Sequence, residues 1–244
     1  MNSPRKYIHS IAWPEFLGLL ALMIAVWLLW NTQVIYPLKI LVVFFHELSH
    51  GLMTLITGGR IVEIHLTAAE GGLCISEGGN RFLILSAGYL GSLAFGGTIL
   101  MLAAKTKHDR RISRALGAIV LLVCLIWVRP VVGFGFLFAA LAGLALLGTG
   151  HYLPAHTNDL LNKTIGLTSC LYAVMDIKSD TLDRPGLPSD ATQLAEQAGI
   201  PGTLWGIAWI VIALALGLFF LAIATNRSGQ AAPRGLDRET GGAA

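Results

Sequence analysis

Charge is what this sequence has least of. Only 13% of its 244 residues are Asp, Glu, Lys or Arg, against about 25% in soluble domains. That scarcity excludes a disordered chain, a charged coiled coil and a nucleic-acid-binding module. It also argues against an ordinary soluble enzyme. Cysteine is scarce too. Three cysteines cannot complete a disulfide framework. Cys124 and Cys170 fall in apolar segments, as small core residues do, and Cys74 has no Cys or His partner at metal-ligand spacing, so no disulfide is expected. No internal repeat is visible. The net charge of +3 is small, but its distribution is uneven. Lys105, Lys107, Arg110, Arg111 and Arg114 cluster with Asp109 as the only acid among them, the pattern of a cytoplasmic loop.

What is present instead is apolar surface. Hydrophobic residues make up 55% of the chain, and the mean hydropathy is +0.68. A bilayer core takes about 20 apolar residues as a helix. Residues 16–38 carry no charge and read as a first span, with Trp13, Trp27 and Trp30 placed for the interfaces. This stretch is long for a signal peptide and no small-residue cleavage site follows it, so a retained anchor is expected despite Arg5 and Lys6 ahead of it. Residues 40–57 form a second stretch that ends at Gly58-Gly59. The period then changes. Val62, Ile64 and Leu66 alternate with Glu63 and His65, and Glu70-Gly71-Gly72 reads as a turn before residues 73–76, which predicts a β-hairpin. Residues 82–104, 112–128, 131–150, 164–175 and 202–225 supply further apolar helices, the second and third of these parted at Arg129-Pro130 as two helices or one kinked, re-entrant element. The expected architecture is an all-α polytopic membrane protein of about six transmembrane helices with the hairpin inserted after the second. Residues 1–226 are expected to form one domain, and 227–244, rich in Gly, Ala and Arg, a disordered tail.

The second apolar stretch holds the most informative residues. His46-Glu47-Leu48-Ser49-His50 is H-E-x-x-H. Positions i and i+4 share a helix face, so His46 and His50 can aim two imidazoles at one ion. Zinc suits that geometry, with Glu47 beside a zinc-bound water as its base. An unpaired acid costs about 2.5–3.5 kcal/mol at the centre of a spanning helix, so Glu47 needs a partner or a task. The bland reading is a buried polar cluster joining helices. A catalytic zinc usually takes three protein ligands. Asp176 closes an apolar stretch and is the leading third ligand. Asp180, four residues on, shares its helical face and stays open as the alternative. Asp183 and Asp190 fall in a polar loop and are expected to be solvated. His151 and His156 are a rival pair, but Pro154 between them argues against a shared helical face.

With these pieces in place, the sequence resembles the site-2 protease family of intramembrane zinc metallopeptidases, in its compact bacterial-type branch without a PDZ domain. The resemblance rests on His46-Glu47-Leu48-Ser49-His50-Gly51, Gly58-Gly59-Arg60 and the hairpin. It continues in Ser86-Ala87-Gly88-Tyr89-Leu90-Gly91-Ser92, Tyr172-Ala173-Val174-Met175-Asp176-Ile177 and Ser189-Asp190-Ala191. It implies that His46, His50 and Asp176 hold one zinc ion per chain and that Glu47 is the catalytic base. Asp176 takes the place of the Asp in the family's L-D-G motif, although its neighbours here are Met175 and Ile177 and the family's Asn-Pro signature is missing.

The expected function is therefore zinc-dependent hydrolysis of a peptide bond of a membrane protein. The expected partners are a membrane-protein or peptide substrate and the lipid bilayer, with no nucleic acid. The expected location is multi-pass in a bacterial cytoplasmic membrane. The hairpin can serve as an edge on which an extended peptide adds as a further strand. The alternative is a non-catalytic membrane scaffold or metal-binding protein of the same fold, against which the intact Glu47 counts. A transporter is disfavoured because no inverted repeat is present. Orientation stays open. The basic loop at 105–114 predicts that this loop is cytoplasmic, whereas the resemblance implies a catalytic helix entering from outside.

Overall fold

The computed structural model describes residues 11–184 and 187–226. The expected disordered tail at 227–244, and Arg5 and Lys6, lie outside the described residues. The first helix, α1, spans Trp13–Leu28, and α2 spans Tyr36–Ile56. The single span expected over 16–38 is thus broken. Pro37 sits in the first turn of α2, the one part of a helix where its missing N–H and fixed φ cost nothing. Asn31, Thr32 and Gln33 fill the connection, where Thr32 returns its hydroxyl to the Leu29 carbonyl at 2.6 Å.

Strands β1 (Arg60–Leu66) and β2 (Gly72–Glu77) pair antiparallel as the expected hairpin, with Ile64 opposite Cys74 and Leu66 opposite Gly72. Gly58, at φ 87°, turns the chain out of α2, and Gly78 and Gly79, at 74° and 77°, turn it into the next helix, conformations that glycine adopts without strain. There follow α3 (Arg81–Lys105), α4 (Asp109–Trp127), α5 (Phe134–Tyr152) and α6 (Ala155–Lys178). A π-helical turn over Ser179–Asp183 leads toward α7 (Asp190–Ala198) and α8 (Gly202–Thr225). Residues 128–133 separate α4 from α5, so Arg129-Pro130 divides two helices. The stretch expected at 164–175 is the second half of the longer α6.

The protein is an all-α polytopic membrane protein with one small hairpin. Among the described residues, four helices (α2, α3, α5 and α8) are long and apolar enough to cross a membrane, and α1 is a shorter apolar helix. Charged and amide residues hold α4 and α6 below that mark: Arg110, Arg111 and Arg114 in one, Asn158, Asp159, Asn162 and Lys163 in the other. The spans are not equivalent. In α2, 72% of the apolar window is buried within the protein, against 22% in α8. Helix α2 is therefore the central helix, packed against α3, α6 and both strands, while α8 lies at the rim.

Lipid offers apolar helices no hydrophobic gain from associating, so close backbone approach and interhelical hydrogen bonds must hold the bundle. Helices α3 and α6 meet at Gly96 and Gly166, where a Cβ on either would lie 2.7 Å from the other's carbonyl oxygen. Beside that crossing, the Ser169 hydroxyl donates to the buried Ser92 carbonyl at 2.7 Å. Helices α4 and α5 cross in the same way at Gly117 and Gly143. Gly166→Ala should therefore cost about 1–3 kcal/mol by forcing α3 and α6 apart. Gly148→Ala, where nothing stands within 4 Å, should change stability by less than about 0.5 kcal/mol. Unfolding of the two variants in detergent checks the contrast, and equal stability would remove the crossing as a determinant.

Candidate metal centre

Helix α2 delivers His46 and His50 to one face, as their spacing requires. Their rings lie edge to face, with centroids 4.8 Å apart. The Nε2 atoms of both point at one carboxylate oxygen, Oδ2 of Asp190, each at 3.1 Å. The expectation that Asp190 is solvated is thus corrected: its side chain is only 13% exposed. Local sequence explains its placement. Ser189 caps α7 by accepting from the Thr192 N–H, and the Thr192 hydroxyl accepts from the Ser189 N–H in return. That reciprocal cap makes Asp190 the first residue of α7 and fixes its direction. Burial would raise the Asp190 carboxyl, but the facing imidazoles of His50 and His46 outweigh it and hold it below the ordinary carboxylate range.

Each histidine has an acceptor facing its other nitrogen. His50 Nδ1 donates to the Ile84 carbonyl at 2.7 Å, which leaves Nε2 free to accept or to ligate. His46 Nδ1 has no hydrogen-bond partner but lies 3.6 Å from Asp176 Oδ2. Asp176 therefore stands behind His46 and outside the convergence point. Asp180 is engaged elsewhere. It accepts from the Tyr89 hydroxyl at 2.7 Å and from Arg184 at 2.9 Å. The Tyr89 ring in turn packs edge-on against His46, 5.1 Å between centroids, and at a tilt against Trp209. Asp183 is exposed and paired with Lys178. His151 and His156 are exposed, and among the described residues the only metal-capable group is His46, His50 and Asp190. All three cysteines are free thiols.

The residue types and spacing of this group fit a zinc ion. Two imidazoles and a carboxylate are a donor set found at catalytic zinc. Tetrahedral ligands at about 2.0–2.1 Å from an ion stand about 3.4 Å from one another, and the observed Nε2–Oδ2 separations are 3.1 Å. The group opens onto a cavity of about 1460 Å³, which leaves room for a fourth, exchangeable position.

Glu47 and β2 share that cavity. The Glu47 carboxylate is buried and accepts from the Cys74 backbone. The ladder pattern explains why Cys74 is available. Thr67 N–H donates to the Gly71 carbonyl at 2.9 Å, and antiparallel pairs alternate from there. With the observed register, the backbone groups of Gly72 and Cys74 turn away from β1. The same alternation turns the Ile64 carbonyl outward on the far side of β1, where it accepts the Arg129 N–H at 3.0 Å. The outer edge of β2 thus faces the cavity, while that of β1 is occupied.

Comparison with known proteins agrees with the resemblance read from the motifs. A family model described as Peptidase M50B-like matches residues 19–220. Curated proteins and solved structures yield no match.

Two glycines leave the site no slack. A Cβ on Gly88 would run into Nε2 of both His46 and His50, and one on Gly72 would run into the Glu47 carboxylate. Gly88→Ala should lower affinity for a divalent ion, whereas Gly72→Ala should leave it near wild type. Chelator competition on purified protein separates the two, and unchanged affinity in Gly88→Ala would show that α3 does not bear on the imidazoles.

Proposed function

The chain belongs to the Peptidase M50B-like family, and from that premise we propose that it is a zinc-dependent endopeptidase hydrolysing a peptide bond of a membrane protein within or beside the bilayer. The family is one of membrane metallopeptidases, and the four long apolar helices make this an integral membrane protein. The observation that carries the finer reading is one cavity holding His46, Glu47, His50, Asp190 and the open edge of β2. His46, His50 and Asp190 hold a single zinc ion. Asp176, the ligand expected from the motif, acts instead on Nδ1 of His46, keeping its Nε2 directed at the ion as outer carboxylates do for ligating histidines. When bound, zinc polarises the scissile carbonyl and makes a coordinated water acidic.

The remaining steps belong to the chain's own side chains. Glu47 takes the proton of the attacking water as its oxygen bonds to the carbonyl carbon. It returns that proton to the amide nitrogen as the C–N bond breaks. A helical substrate hides its carbonyls in hydrogen bonds and must unwind first. The outward backbone groups of Gly72 and the outward carbonyl of Cys74, whose N–H is held by Glu47, give the unwound segment partners as an added strand. The match over residues 19–220 supports one catalytic domain over 1–226, and a bacterial cytoplasmic membrane is the proposed location. No observation favours the non-catalytic scaffold, which gives Glu47 no task.

Glu47→Gln should retain zinc and lose about 10²–10⁴-fold in cleavage of a reconstituted membrane substrate. Wild-type protein purified without zinc would end this reading. Asp190→Ala should abolish stoichiometric zinc. Asp176→Asn should weaken affinity about 10–100-fold while leaving the ion bindable. Metal analysis under chelator titration ranks the two aspartates, and the reverse ranking would make Asp176 the ligand.

A further inference from the structure

The hairpin is fastened to the catalytic helix at its turn. Lys39 Nζ lies 2.6 Å from Glu70 Oε1, and the Tyr36 hydroxyl donates to the Ala68 carbonyl at 2.8 Å. Lys39 is buried in α2, and its ammonium also sits 5.6 Å from the centre of the Trp30 ring. A cation at that depth needs a partner. Glu70 supplies it from a backbone at φ 62°, a left-handed conformation uncommon outside glycine. Glu70 and Trp30 both line the catalytic cavity.

Lys39 lies on the face of α2 that carries His46, two turns before it. From Lys39 to Glu47 the helix rises about 12 Å. Glu70 stands in the turn, two residues before β2 begins at Gly72. The contacts Lys39–Glu70 and Glu47–Cys74 therefore hold one stretch of chain at two points on one helix. A strand that slips by two residues keeps its faces but moves about 6.6 Å, a distance an ion pair of 2.6 Å cannot follow.

We propose that the Lys39–Glu70 pair is a register lock: it sets which backbone groups of β2 face Glu47, and thereby which bond of an added substrate strand is cut. Both are positioning residues, acting through β2. The inference rests on the proposed addition of substrate to that edge.

The test uses the full chain in liposomes with a membrane substrate. Glu70→Gln should keep zinc, lower kcat/KM at least about tenfold mainly through KM, and give products displaced by two residues. The exchanged pair Lys39→Glu with Glu70→Lys should restore the wild-type product. Register can also be read without substrate. A Cβ at Gly51 would lie 3.5 Å from Cys74 Sγ and 2.7 Å from the tip of Ile61, so Gly51→Cys with Ile61→Val, which removes that tip, should form a disulfide with Cys74, in lower yield once Glu70→Gln is added. Unchanged KM, products and disulfide yield in Glu70→Gln would overturn the lock, and so would loss of zinc, which would make the pair merely structural. If wild-type protein cut no substrate, the proteolysis reading would fall while the disulfide yield still decided the lock.

Discussion

Everything in this fold follows from keeping a polar, hydrogen-bonding helix face inside a lipid-embedded protein. Helix α2 carries Lys39, His46, Glu47 and His50 in a segment apolar enough to cross a membrane. Lipid can satisfy none of them, so protein must. Each accordingly meets a specific group: Glu70 for Lys39, the Cys74 backbone for Glu47, Asp190 for both imidazoles. Enclosing that face makes α2 the most buried span and sends the other helices to its periphery.

The enclosure is asymmetric, and the asymmetry is chemically useful. On one side α3 closes up against the imidazoles, because Gly88 has no Cβ to hold it away. On the other side the hairpin approaches with β2, a strand whose outer backbone groups are not used by β1. Packing is tight at both glycines, Gly88 against the imidazoles and Gly72 against Glu47, and the open space lies in the cavity along the outer edge of β2. The outer edge of β1 is occupied by Arg129, whose N–H donates to the Ile64 carbonyl, while that of β2 faces the cavity.

Much of this was legible in the residues. The period of 3.6 in α2 and the period of 2 in the hairpin are local properties, and so is the His46/His50 geometry, because i and i+4 share a face in any α-helix. Chain breaks were legible at Pro154 and Gly58-Gly59, but the break between α1 and α2 was not, although Pro37 marks it, since its short polar insert sits inside a long uncharged run. Asp190 was passed over for a related reason. Its flanks are polar and contain two prolines, which reads as solvated loop. The signal that could have found it is Ser189 with Thr192, a capping pair that makes Asp190 the start of a helix, together with its place in the resembling Ser189-Asp190-Ala191 segment.

The sequence by itself determined the membrane setting, the hairpin, and the pair of histidines with their glutamate, because each depends on composition or on spacing within one element. Only the tertiary structure decided which carboxylate meets the imidazoles. Asp176 and Asp190 belong to different helices, and their distances to α2 depend on how α6 and α7 pack, which no spacing encodes. Asp190 converges on both Nε2 atoms while Asp176 faces the outer nitrogen of His46. That division follows from the cap that makes Asp190 the first residue of α7, a helix held against α3 and α8.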